Sequence, residues 1–91
     1  MNKKIISITI NGRVQGVGFR YFVYKTANAF GVYGFVKNLN NGDVYIEACA
    51  EDQVLQNFVL TVQKGSFYSK VNSVTIKPLS QNILPTEFHI L

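Results

Sequence analysis

The sequence predicts an α+β sandwich, with two helices covering one face of an antiparallel sheet. Three observations carry that reading. Two segments have apolar residues at helical spacing, and each lies between segments that alternate with period two. The resulting order is strand–helix–strand–strand–helix–strand, with a short closing strand. The 91 residues are enough for one hydrophobic core and too few for two.

Lys3 to Asn11 reads as the first strand: Ile6, Ile8 and Ile10 share one face, and Ser7, Thr9 and Asn11 the other. A glycine-rich stretch follows, Gly12 to Gly18. From Phe19 the period becomes helical, with Phe19, Phe22, Val23, Thr26, Ala27 and Phe30 on one face and Gly31 suited to the stop. Val32 to Leu39 is the second strand, and Asn40-Asn41-Gly42 is a hairpin turn because these residues tolerate positive φ. Val44, Ile46, Ala48 and Ala50 then alternate with Tyr45 and Glu47 in a third strand. Glu51 and Asp52 place negative charge at the start of a second helix, where the helix dipole favours it. Val54, Leu55, Phe58 and Val62 form its apolar stripe, and Gly65 and Ser66 end it. The fourth strand lies within Ser69 to Lys77, centred on Val74 and Ile76, with Pro78 as its terminator. Leu79 to Pro85 is a loop, and Glu87 to Leu91 closes the chain with Phe88 and Ile90 inward. The five Tyr and seven Phe mostly fall on or beside core-facing positions. This is the ferredoxin-like βαββαβ arrangement, with residues 1–91 forming one domain.

Composition narrows the function classes. Hydrophobic residues make up 47%, enough to offset chain entropy, so disorder is excluded. One Cys and one His exclude an intrachain disulfide framework, a cysteine zinc cluster and a multi-histidine metal site. No metal and no cofactor are expected, and a reducing cytoplasm fits. Polar Ser7 and Thr9 interrupt the run from Ile5 to Ile10, which is too short for a signal core or a membrane span. Cys49 and His89 fall on the outward face by alternation, as a surface or half-buried thiol and a solvated imidazole. The net charge of +4 fits either solubility or an anionic partner, and without a basic block it does not choose between them. A monomer is the default, since the final strand is short.

The stretch that carries chemistry is Gly12-Arg13-Val14-Gln15-Gly16-Val17-Gly18-Phe19-Arg20, which joins a strand to a helix N-terminus. Glycines permit positive φ, so successive N–H groups can point into one concavity. The helix start adds unpaired N–H donors and partial positive charge. Arg20 adds a planar fork that matches phosphate oxygens. The sum is an oxyanion cradle; the plainer reading is a tight turn beside a surface Arg. Known phosphate loops do not account for it. A Walker A loop needs Gly-Lys-Ser/Thr at its end, and the dinucleotide fingerprint needs Gly where Tyr21 stands.

Gly12 to Arg20 resembles the acylphosphatase signature, and a second motif of that family is matched by Gly34-Phe35-Val36-Lys37-Asn38 followed by Gly42-Asp43-Val44. The region from Lys64-Gly65-Ser66 to Val74 and the closing Phe88-His89-Ile90 are also similar to the family, so the resemblance covers nearly the whole chain. Phe35 stands where Trp is commoner. The resemblance implies hydrolysis of the carboxyl–phosphate bond of small acyl phosphates. It makes Arg20 the phosphate-binding arginine and Asn38 the water-orienting asparagine. The backbone of Gln15, Gly16, Val17, Gly18 and Phe19 becomes the phosphate loop. Inorganic phosphate is then product and competitive inhibitor. Arg13 is a second-tier candidate for phosphate contact, or a surface residue.

The residues also admit rival readings. RNA-recognition domains share the βαββαβ order, and Tyr33-Gly34-Phe35-Val36 matches part of their aromatic motif. That match sits on the second strand instead of the third, lacks the leading basic-Gly pair and has Asn38 at the final aromatic position, so no nucleic-acid partner is expected. A silent anion-binding relative would share the cradle without the chemistry, and a module of a larger maturation enzyme would share both.

Overall fold

The computed structural model describes residues 2–91. Along the chain lie β1 (Lys3–Arg13), α1 (Phe19–Phe30), β2 (Tyr33–Asn38), β3 (Val44–Glu51), α2 (Asp52–Lys64), β4 (Lys70–Leu79) and β5 (Phe88–Ile90). They build one sheet in the order β4-β1-β3-β2-β5. The first four strands pair antiparallel, and β5 runs parallel to β2, so the sheet is mixed. The fold is the α+β, ferredoxin-like sandwich expected from the sequence, with a short extra strand.

The core lies between the helices and one sheet face. Phe19, Val23 and Ala27 of α1 and Leu55, Phe58 and Val62 of α2 meet Ile8, Ile10, Val36, Val44 and Ile46. Gly31 ends α1 in the left-handed region, and its N–H bonds the Ala27 carbonyl. The topology brings the end of β1, the start of α1, the β2–β3 hairpin, the α2–β4 turn and the end of β5 to the same end of the sheet.

Several local expectations need correction. Gly12 and Arg13 belong to β1, not to the loop. A bulge there presses the backbone against β4, and a Cβ on Gly12 would lie 2.0 Å from the Lys70 carbonyl oxygen. Pro78 does not terminate the fourth strand, which runs on to Leu79; β4 is an edge strand, and on its open side a missing N–H breaks no ladder bond. Ile90 is not packed inward but 41% exposed, because β5 runs past the core beside the first turn of α1. Aromatic residues contribute less to the core than expected: Phe19, Phe58 and Phe88 are buried, whereas Tyr21, Phe67 and Tyr68 are exposed.

The helix-free face is also less open than alternation implies. Segment 81–85 crosses it beside Ile5, Phe35 and Glu47, and Gln81 Nε2 donates to Glu47 Oε1 at 3.2 Å. Cys49 is fully buried, not a surface thiol. Its cross-strand neighbours Ile5 and Tyr33 are large, and the Lys3 ammonium lies 5.1 Å from the Tyr33 ring centre. Burial raises the Cys49 thiol pKa, and nearby Lys3 only partly opposes it. Burial likewise raises the Tyr45 hydroxyl, helped by the hydrogen bond it donates to Glu47 at 2.7 Å.

Both acids therefore ionise more readily in the unfolded chain, so their protonated forms favour the fold. That contribution is intact below the unfolded pKa values and is lost as pH rises through the folded ones. Urea denaturation across the alkaline range should show stability falling once pH passes the ordinary thiol value of about 8.5. Iodoacetamide should label Cys49 rapidly in urea and slowly in the native protein.

Candidate active site

The start of α1 is built to hold an anion. Gly16 and Gly18 both lie at positive φ, 73° and 78°. A Cβ at either would meet no atom within 4 Å, so it is the backbone conformation that calls for glycine. Gly18 is the N-cap, no side chain caps the helix, and its first turn holds no acidic residue. The first N–H groups are thus left to an external acceptor. Val14, 1% exposed, anchors the loop in the core.

Arg20 and Asn38 meet across this loop. They line one cavity of about 260 Å³ together with Val14, Gly16, Gly18 and Phe19, closed at one side by Ile90. Arg20 Nη1 donates to the Leu91 main-chain oxygen at 2.8 Å, which fixes the guanidinium and leaves its other donors unassigned. Asn38, at the end of β2, carries a buried Oδ1 with no hydrogen-bond partner. A buried amide oxygen without a donor costs about 1–3 kcal/mol.

Gln15 and Val17 do not line this cavity, and Gln15 has a different task. Its Nε2 donates to the main-chain oxygens of Leu39 at 2.7 Å and Asp43 at 2.8 Å. Leu39 N–H also donates to the Asp43 oxygen at 2.8 Å, which closes the β2–β3 hairpin. Asn11 Nδ2 donates to Asp43 Oδ1 at 3.0 Å. These bonds tie the loop to the hairpin that carries Asn38. Sequence reasoning missed the tie, because a Gln beside two glycines carries no signal of where its amide turns. It missed Ile90 and Leu91 as well, since closeness of β5 to α1 depends on the parallel pairing.

Arg13 is exposed, faces Lys70 across the β1–β4 register and does not line the cavity. His89 is exposed and within 3.6 Å of Glu87, away from Arg20 and Asn38. Among the described residues no three His, Cys, Asp or Glu side chains converge on a point that could hold a metal ion. Among them, too, no helix is long and apolar enough to cross a membrane.

Comparison with known proteins places this chain in a family. The family model described as Acylphosphatase matches residues 6–90. An acylphosphatase of Archaeoglobus fulgidus is 43% identical over 72 residues, covering 79% of this chain and 81% of the relative. One of Oceanobacillus iheyensis is 36% identical over 86 residues, covering 93% of this chain and 94% of the relative. The crystal structure of acylphosphatase from Bacillus subtilis superposes with a TM-score of 0.91 at 39% identity, covering 96% of this chain and 97% of that one.

The Gln15 tie makes its own prediction. Gln15→Ala should destabilise the fold by about 1–3 kcal/mol, the range for losing a pair of partly buried hydrogen bonds. Gln15→Glu should cost more near neutral pH, because a carboxylate would face two carbonyl oxygens. Those oxygens raise the carboxyl pKa in the folded state, so the excess cost should fade as pH drops towards about 4. Urea titrations of the two variants at both pH values check the sign.

Proposed function

The chain belongs to the acylphosphatase family, and from that premise we propose that it hydrolyses small acyl phosphates to carboxylate and inorganic phosphate. Loop N–H groups from Gln15 to Phe19 and the Arg20 guanidinium hold the phosphoryl oxygens. A water held by Asn38 attacks phosphorus in line with the departing carboxylate. The observation that carries this reading is that Asn38, whose Oδ1 has no hydrogen-bond partner, lines the same cavity as Arg20 and the glycine loop.

The chemistry fits a cavity lined by no His, Asp or Glu. A carboxylate leaving group has a conjugate acid pKa of about 4, so it departs without a proton. What needs stabilising is negative charge on the phosphoryl oxygens, and preorganised N–H donors with Arg20 supply that. Asn38 accepts a hydrogen bond from water without binding a proton, which orients the nucleophile and leaves it neutral. The proton then passes to the bound phosphate as the new P–O bond forms. No metal takes part in this scheme. The reading also takes residues 1–91 as one domain acting as a monomer in the cytoplasm; the single apolar core supports the one-domain part.

Hydrolysis of benzoyl phosphate in EDTA tests the proposal. Turnover should be rapid and unaffected by the chelator; a folded protein without turnover would overturn it. Arg20→Ala should lose on the order of 10³ or more in kcat/KM, and Arg20→Lys should not restore it, because Lys lacks the planar fork. Asn38→Ala should lower kcat far more than it raises KM, with the pH profile unchanged; a displaced profile would point to base catalysis. Inorganic phosphate should inhibit competitively.

A further inference from the structure

We propose that the groove between α1 and α2 is an acyl subsite, and that the preferred substrates carry bulky apolar acyl groups; this rests on the hydrolase reading above. The groove is a shallow, open space of about 470 Å³, and its lining shares Gly18 and Tyr21 with the cavity that holds Arg20 and Asn38. The two spaces therefore adjoin at the start of α1.

Direction supports the assignment. Asn38 and Ile90 line the cavity on the side of β2 and β5. The groove opens on the other flank of α1, towards Thr61 of α2. In-line displacement puts the attacking and leaving oxygens on opposite sides of phosphorus. With water at Asn38, the departing carboxylate points away from β2, towards the groove.

The lining selects the occupant. Tyr21 and Phe30 are large side chains left 59% and 38% exposed along it, with Phe22 and Ala29 between them. Its two threonine hydroxyls are already engaged: Thr26 Oγ1 donates to the Phe22 carbonyl at 2.8 Å and Thr61 Oγ1 to the Asn57 carbonyl at 3.0 Å. Lys25 lies with its ammonium 5.6 Å from the Tyr21 ring centre. An apolar chain thus meets mainly carbon surface, with the Lys25 ammonium as the one charged group in the lining. From Gly18 to Phe30 the helix offers a path of about 18 Å, longer than an acetyl group needs.

The test is an alkanoyl series: acetyl, butyryl, hexanoyl and octanoyl phosphate. Beyond the first carbons, added methylenes barely change the leaving carboxylate, so a gradient reports burial and not reactivity. We expect kcat/KM to rise about twofold, and at most about fourfold, per methylene; the upper factor corresponds to about 0.8 kcal/mol for full burial. Ala29→Glu should collapse the octanoyl-to-acetyl ratio by about tenfold or more, since a carboxylate in the groove must be desolvated by the chain. Ala29→Ser should keep the gradient. A flat wild-type series with acetyl phosphate still hydrolysed would overturn the subsite and leave the hydrolase reading standing. A gradient undiminished in a folded Ala29→Glu protein would also overturn it. Failure to hydrolyse any member would overturn both.

Discussion

The main-chain N–H groups that open α1 have no acceptor in the helix, and the protein supplies no side-chain cap for them. Much of the structure follows from that constraint. Leaving the donors bare requires the preceding loop to turn its backbone inward, which Gly16 and Gly18 permit at positive φ. It requires that loop to be held from both sides, by Val14 in the core and by Gln15 on the hairpin. It also requires the helix to stay in place when its own first turn contributes little. The apolar stripe of Phe19, Val23 and Ala27 does this, packed on the sheet.

The second unsatisfied group, Asn38 Oδ1, obeys the same logic. Bare donors on one side of a cavity and a bare acceptor on the other are each unfavourable alone, and in an apolar core they would be selected against. Here the glycine loop and Asn38 line the same space of about 260 Å³. The cost is met by a core whose side chains from both helices and four strands are almost fully buried. The glycine loop and the unpartnered Asn38 oxygen thus both lie at the end of the sheet where the loops converge.

Most of the fold was legible because its signals are local. Period two in β1 and β3, helical spacing in α1 and α2, and Gly31 as a stop each report on neighbouring residues. Arg20 and the glycine loop were legible as an anion cradle and Asn38 only through the family resemblance, and the structure brings them to one cavity. What failed depends on contacts remote in sequence. Cys49 reads as outward by alternation, yet Ile5, Tyr33 and Lys3 cover it from other strands. Pro78 reads as a terminator until β4 is known to be an edge strand. Ile90 reads as inward until β5 is seen to pair parallel with β2 and overrun the core. The Gln15 amide spans 24 and 28 residues to its acceptors, beyond what spacing encodes.

The net charge, ambiguous in the sequence, resolves once it is placed on the fold. Arg13, Arg20, Lys37, Lys64 and Lys70 sit near element termini on the same end of the sheet as the cavity. The acid there, Asp43, is occupied by Asn11 at 3.0 Å and Asn41 at 3.2 Å. The other four lysines, Lys3, Lys4, Lys25 and Lys77, are matched in number by Glu47, Glu51, Asp52 and Glu87. The excess of +4 therefore belongs to the cradle end. A one-signed field over an open cleft raises the local concentration of anions and weakens with salt. It acts on substrate and on phosphate product alike, so it speeds capture without discriminating between them. Discrimination has to come from what the product lacks, which is the acyl group. The acyl subsite proposed beside the charged cradle would supply it, because an empty groove gives the product no added affinity.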